Sequence, residues 1–186
     1  DALLSDLDQE LTSWDSVEVT SIFIGGGTPS LFSGGSIAKL LDGVAGRLAM
    51  SHAIEISLEA NPGAAEIRHL KGYLRAGVNR LSLGIQSFDD VKLKKLGRVH
   101  DSKDARLACS AARDAGFENL NVDIMFGLPG AASGEALLDL QEALIFLPEH
   151  LSWYQLTIEQ GTAFSQNPPE LPTHDLICDD YDRGLE

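Results

Sequence analysis

The sequence predicts an α/β fold in which parallel strands form part of a (β/α) barrel. Three observations predict it. Short apolar runs rich in β-branched residues alternate with segments of helical period. Two of the helical segments end on a glycine that is followed closely by a strand, which is the αβ half of a repeating unit. Polar residues stand at the C-terminal end of each strand in turn. A barrel gathers its site in that way, whereas an open doubly wound sheet would concentrate polar groups at one switch point.

The chain opens on Asp1 with a helical pattern (Leu3, Leu4, Leu7, Leu11) and no initiator methionine, and reads as a piece of something longer. Strands are expected at Thr20–Ile24, Glu55–Glu59, Arg80–Ile85, Leu120–Met125 and Leu151–Ile158. Helices fill the gaps at Ser36–Leu48, Ala65–Arg75, Ser102–Ala115 and Gly134–Phe146, with a shorter turn of helix near Asp90–Leu96. Gly77 follows Arg75-Ala76 and Gly116 follows Asp114-Ala115, each where a left-handed glycine closes a helix without strain. Parallel neighbours require such helical crossovers.

With 186 residues, 44% of them hydrophobic, residues 1–186 are expected to form one domain or most of one. Lys and Arg number 14 against 28 Asp and Glu, a formal net charge of −14. No basic footprint exists for a nucleic acid or an anionic membrane surface. The acids are spread along the chain and read as a solvated surface. The two cysteines, Cys109 and Cys178, lie far apart, which argues against a disulfide framework and fits a reduced, cytoplasmic location. No apolar stretch is long enough for a membrane helix, and no signal-peptide pattern opens the chain. His52, His69, His100, His150 and His174 show no mutual metal-ligand spacing. Cys109 reads as a core residue of its helix.

The candidate site residues follow the strand ends. After the first strand comes Gly25-Gly26-Gly27-Thr28-Pro29-Ser30, whose bare backbone admits a ligand closely or simply makes a tight turn. It lacks the later glycine of a dinucleotide fingerprint and the lysine of a P-loop. Glu59 precedes the turn Asn61-Pro62-Gly63 and either faces the mouth or sits exposed at an edge. Gln86 and Ser87 end the third strand, where a buried amide must find partners. Arg98 is a surface arginine or a clamp for a carboxylate. Asp123 lies inside the apolar run Val122-Asp123-Ile124-Met125, so it should face a polar pocket or pair with a group such as Arg98. Gln155, Thr157 and Glu159 close the series. Trp153 and Tyr154 face opposite sides of the last strand, and one of them could line the mouth.

Six segments occur in order: Gly-Gly-Gly-Thr-Pro-Ser at 25–30, Glu-Ala-Asn-Pro-Gly at 59–63, Gly-Val-Asn-Arg-Leu-Ser-Leu-Gly-Ile-Gln-Ser-Phe at 77–88, Lys-Leu-Gly-Arg-Val-His at 95–100, Asn-Val-Asp-Ile-Met-Phe-Gly-Leu-Pro-Gly at 121–130 and Leu-Ser-Trp-Tyr-Gln-Leu-Thr-Ile-Glu at 151–159. Together they resemble the oxygen-independent coproporphyrinogen III oxidase-like family of radical S-adenosylmethionine (SAM) proteins. The Gln-Ser-Phe and Ser-Trp-Tyr-Gln-Leu-Thr-Ile-Glu segments look more like its heme chaperone (HemW-type) branch. The resemblance implies a partial radical SAM barrel with about five of six strands present. It also implies a SAM site: Gly26, Gly27 and Thr28 at the methionine end, Glu59 and Gln86 on polar groups of SAM, Arg98 on its carboxylate, Asp123 toward the ribose, and Thr157 as a weaker contact.

Members of that family hold a [4Fe–4S] cluster on a Cys-x3-Cys-x2-Cys loop, and no such loop occurs here. The loop and its strand are expected upstream of Asp1, and the region in which members differ is expected beyond Glu186. These 186 residues alone should then neither hold the cluster nor cleave SAM. Implied ligands are SAM and heme or a porphyrinogen, with a heme-accepting protein as a partner. The implied activity is heme delivery, or alternatively the oxidative decarboxylation of coproporphyrinogen III through a 5′-deoxyadenosyl radical. A third alternative is a barrel without a cluster whose glycine loop binds phosphate, and the motif set argues against it.

Overall fold

The computed structural model describes residues 2–13 and 18–186. In chain order the elements are α1 (Ala2–Glu10), β1 (Glu18–Ile24), α2 (Gly34–Ala45), β2 (Ala49–Ala60), α3 (Ala64–Ile67), α4 (Leu70–Ala76), β3 (Arg80–Gln86), α5 (Asp90–Lys95), α6 (Ser102–Ala115), β4 (Asn119–Phe126), α7 (Glu135–Ile145), β5 (His150–Gln155), α8 (Ala163–Gln166) and α9 (His174–Gly184). The strands form one sheet in sequence order, β1-β2-β3-β4-β5, and every neighbouring pair is parallel. The result is an arc of a (β/α) barrel, as the alternation predicts.

The two faces of the sheet differ sharply. Ile56, Leu58, Leu81, Leu83, Ile85, Leu120, Val122 and Ile124 point outward and are buried in the core beneath the helices. The residues between them point to the concave side and are polar, among them Glu55, Ser57, Glu59, Ser82, Asn121, Asp123 and Ser152. Parallel strands buried on both faces are usually apolar throughout. Strict alternation on a parallel sheet therefore marks the concave side as a surface built for polar ligands.

The helix ends obey their local chemistry. Asp101 caps α6 by accepting the N–H groups of Lys103 and Asp104, both at 2.9 Å, while Asp104 accepts the Asp101 N–H at 3.2 Å. Gly77 and Gly116 close α4 and α6 at φ +103° and +106°, as their sequence positions predict. Tyr73, fully buried on α4, reaches the carbonyls of Ser30 at 2.6 Å and Phe32 at 2.9 Å and ties down the segment after the glycine loop.

Several boundaries differ from the sequence reading. β2 begins at Ala49, six positions before the β-branched run, because its first residues find partners on β1, with Glu18 opposite Ala49 and Val19 opposite Met50. The helix expected over Ala65–Arg75 is two helices, and the His69 carbonyl starts the second by accepting from Gly72 and Tyr73. β5 stops at Gln155 rather than Ile158, since its partner β4 ends at Phe126 and Gly127 turns away at φ +68°. The amphipathic helix α9 was not among the expected elements; it packs Ile177 and Tyr181 toward Phe126 and Trp153.

Candidate functional site

The C-terminal ends of β1 to β4, with Tyr154 from β5 and Arg98 from the loop after α5, enclose a cavity of about 230 Å³. Its lining includes Gly27, Glu59, Gln86, Arg98 and Asp123, five of the residues singled out in the sequence. Asn61, Ser82, Gly84 and Tyr154 complete the polar wall.

The glycine loop depends on its lack of side chains in two ways. The Gly26 N–H donates to Glu59 Oε2 at 3.2 Å, and a Cβ on Gly25 would stand 3.0 Å from that carboxylate. Gly26 and Gly27 adopt φ +82° and +59°, which side-chain-bearing residues rarely do. Gly26 and Thr28 also border a second, more apolar cleft of about 470 Å³ against Leu3, Leu4 and Phe32. The loop thus presents Gly27 to the site, and Gly26 and half-buried Thr28 to the second cleft.

Asp123 is held rather than free. Its Oδ2 accepts from Ser82 Oγ at 3.0 Å and its Oδ1 from Asn121 Nδ2 at 2.7 Å. Asn121 is oriented in turn, because its Oδ1 accepts from Ser152 at 3.1 Å and from His150 Nδ1. The alternative pairing of Asp123 with Arg98 does not occur. Arg98 instead donates through Nη2 to Asn61 Oδ1 at 2.9 Å and to the Gly84 carbonyl at 3.2 Å, and among the described residues it forms no ion pair. Its charge remains available to an incoming anion.

Gln86 presents its amide in a defined sense. Tyr154 Oη donates to Gln86 Oε1 at 2.7 Å, which leaves the Nε2 donor toward Gly84 and the cavity. Burial, with the Asp123 charge nearby, pushes the Tyr154 phenol above its ordinary value, so it stays a donor at neutral pH. Of the pair Trp153 and Tyr154, the structure turns Tyr154 inward, while Trp153 stacks against Phe126 and Tyr181. The register carries the signal: Asp123 stands opposite Ser152, and Tyr154 is two residues further along the same face.

Besides Gly26 and Thr28, two further expected positions lie outside the cavity. Thr157 is past the end of β5, exposed, and donates to Glu159 Oε1 at 3.1 Å, outside the cavity wall. Ser87 is fully buried and turned away from the mouth toward Asp139 on α7.

His100 secures the loop that carries Arg98. Its Nε2 donates to the Ile85 carbonyl at 3.0 Å, and burial pushes its imidazole below the ordinary value, with the Arg98 charge adding to that effect. The folded protein therefore prefers neutral His100, and the unfolded chain takes up the proton first as pH falls below about 6.5. Stability should drop through that window. In urea titrations at pH 7.5 and 5.5, His100→Gln, which keeps the donor and removes the titration, is expected to lose less stability than the wild type. An equal loss in both would contradict the assignment.

For iron–sulfur chemistry the residues are unsuited. Among the described residues no three Asp, Glu, His or Cys side chains gather to hold a metal. Cys109 is buried in the core, its thiol pushed up to about 12 by burial, and Cys178 lies exposed on α9 beside His174.

The donor set suits a zwitterionic amino acid joined to a hydroxylated nucleoside. Glu59 and Asp123 offer carboxylate acceptors of the kind that ammonium and hydroxyl groups need, Arg98 a guanidinium able to pair with a carboxylate, and Gln86 Nε2 a neutral donor. Among the described residues no helix is long and apolar enough to cross a membrane.

The profile of the Radical SAM superfamily matches residues 4–140. The heme chaperone HemW of Escherichia coli is 49% identical over 182 residues, which are 98% of this chain and 48% of that protein. The mitochondrial radical S-adenosyl methionine domain-containing protein 1 of Mus musculus is 41% identical over 170 residues, 89% of this chain and 38% of that protein. Among solved structures, the coproporphyrinogen III oxidase HemN from Escherichia coli matches with a TM-score of 0.86 at 24% identity, covering 100% of this chain and 43% of that one, a likeness of fold. The chain spans about half the length of the curated bacterial relatives it matches.

Proposed function

The chain belongs to the radical SAM superfamily, and from that premise we propose that its cavity is the SAM-binding wall of a heme chaperone. Membership implies SAM and a [4Fe–4S] cluster as cofactors, and SAM supplies the radical precursor that this superfamily uses. Residues 1–186 are assigned to a partial radical SAM core domain, with a cytoplasmic location. Glu59 and Gly27 receive the amino-acid end of SAM, with Gly26 and Thr28 bordering it from the neighbouring cleft, Arg98 meets its carboxylate, Gln86 hydrogen-bonds a further polar group of SAM, and Asp123 lies toward its ribose. Thr157 stays in the proposal only as a peripheral contact.

The observation that carries the SAM assignment is the convergence of four partly buried polar side chains, from four separate segments, on one cavity. Each already has a partner within the protein, and the donor and acceptor capacity that remains lines the cavity, where a ligand with matching groups would satisfy it. Delivery of heme to an acceptor protein is supported by the identity of 49% to a heme chaperone across nearly the whole chain. The alternative, oxidative decarboxylation of coproporphyrinogen III, has in its favour a likeness of fold at 24% identity.

One experiment separates the two. The protein at its natural length, reconstituted anaerobically, is expected to bind heme stably and to leave coproporphyrinogen III unconsumed in the presence of SAM and reductant. Robust decarboxylation would overturn the chaperone reading, and absence of SAM binding would overturn the site.

A further inference from the structure

Gln86 reaches the cavity from a strained turn. Its φ is +72°, although it is neither glycine nor asparagine, and the Ser87 N–H closes a three-residue turn onto the Ile85 carbonyl at 2.9 Å. That is the rarer, strained form of the γ-turn. The pairing of β3 with β4 slips at the same place, from Gly84 opposite Asp123 to Gln86 opposite Ile124, so Gln86 faces an outward-pointing neighbour while its own side chain enters the cavity. Strain of this kind persists only where surrounding contacts over-determine it.

The contacts that do so are buried and come from other parts of the chain. Asp139, in the middle of α7 and 4% exposed, accepts the Ser87 hydroxyl on Oδ2 at 2.6 Å and the Phe88 N–H on Oδ1 at 2.7 Å. Ser87 Oγ accepts the Asp89 N–H at 3.0 Å, and His100 holds the Ile85 carbonyl. A carboxylate in the interior is expensive and is retained where it satisfies groups that nothing else reaches. Lys92, itself 7% exposed and paired with Glu135 at 3.4 Å, supplies compensating charge nearby. Asp139 itself does not line the site cavity.

We propose that Asp139 is a positioning residue: by clamping Ser87 and Phe88 it holds the strained turn that aims the Gln86 amide at the ligand. The proposal rests on the reading of Gln86 as a SAM contact. It makes α7, which belongs to the crossover from β4 to β5, responsible for the geometry of the exit from β3. A substitution beneath the helix layer then alters binding in the cavity.

The test uses the protein at its natural length and two readouts. SAM and S-adenosylhomocysteine binding are measured by calorimetry for wild type, Asp139→Leu, Asp139→Asn, Gln86→Ala and the Asp139→Leu/Gln86→Ala pair. Asp139→Leu should weaken both ligands roughly tenfold, and Gln86→Ala by a similar factor. The pair should be no weaker than the stronger single effect, because both act through one contact. Asp139→Asn, which keeps an acceptor for Phe88, should recover part of the loss. Additive losses, or wild-type affinity in Asp139→Leu, overturn the proposal. If Asp139→Leu does not fold, Ser87→Ala takes its place in the cycle with the same expectations. The second readout is amide hydrogen exchange at Ser87 and Phe88 without ligand, which should quicken in Asp139→Leu, where the Phe88 N–H loses its acceptor. Unchanged exchange refutes the clamp, whereas failure of the wild type to bind SAM refutes only the site reading.

Discussion

Asp123→Ala is expected to weaken SAM binding by roughly a hundredfold, and Arg98→Ala by roughly ten- to a hundredfold. A hydrogen bond to a charged group contributes about 1.5–3 kcal/mol, and each 1.4 kcal/mol is a factor of ten. Asp123 carries the larger expectation because Ser82 and Asn121 already hold both its oxygens in place, so no orientational entropy is lost when a hydroxyl approaches. Its removal also leaves those two donors without their acceptor. Arg98 is fixed by Asn61 and Gly84 through one nitrogen, which leaves the rest of the guanidinium fork for a carboxylate. Calorimetric titration of the protein at its natural length, with melting curves to confirm folding, decides the matter. Wild-type affinity in both variants would remove the site assignment.

The second large effect concerns stability. Gly34 opens α2 against Gly72 of α4, and a Cβ on Gly34 would stand 2.6 Å from the Gly72 carbonyl carbon and 2.7 Å from its Cα. Backbone atoms in a helix cannot step aside as a side chain can, so the two helices must separate. Gly34→Ala is expected to cost about 3 kcal/mol and to lower the melting midpoint by about 6–12 °C. Gly35→Ala is the control in the same turn. Its Cβ would meet only Ser33 Oγ at 3.8 Å, an ordinary contact, and alanine is the better helix former by up to about 1 kcal/mol. If the two variants melt together, the close approach of α2 and α4 does not govern this interface.

Much of the fold is legible in the residues because its signals are local. A left-handed glycine after a helix, a β-branched run and an Asp two and three residues before the N–H groups it caps act within a few positions of themselves. Gly77, Gly116 and the cores of all five strands therefore stand where local chemistry places them. The extra length of β2 and the early end of β5 depend on which partner residues lie alongside, and that is a property of pairing.

The site divides along the same line. Glu59, Gln86 and Asp123 betray themselves as polar groups in or at the end of apolar strands, a conflict visible in one dimension, whereas Arg98 follows a short helix and by itself reads as a surface arginine. Tyr154 does not, because an aromatic residue on a strand is satisfied equally by core or cavity, and only the register with Asp123 assigns it. Arg98 and Asp123 look like natural partners in sequence, yet Asn61 and Ser82 reach them first. Ser87 and Thr157 read as mouth residues by proximity alone. The strained turn at Gln86 sends Ser87 to Asp139, and the end of β4 leaves Thr157 in solvent.

What the sequence determined by itself is the succession of parallel strands, the polar residues at their C-terminal ends, and three side chains, Glu59, Gln86 and Asp123, that must find partners. Only the tertiary structure decided which partners they find. Hydrogen bonds act over about 3 Å, and apart from Asn121, two positions from Asp123, the residues that meet here are separated by 14 to 68 positions in the chain.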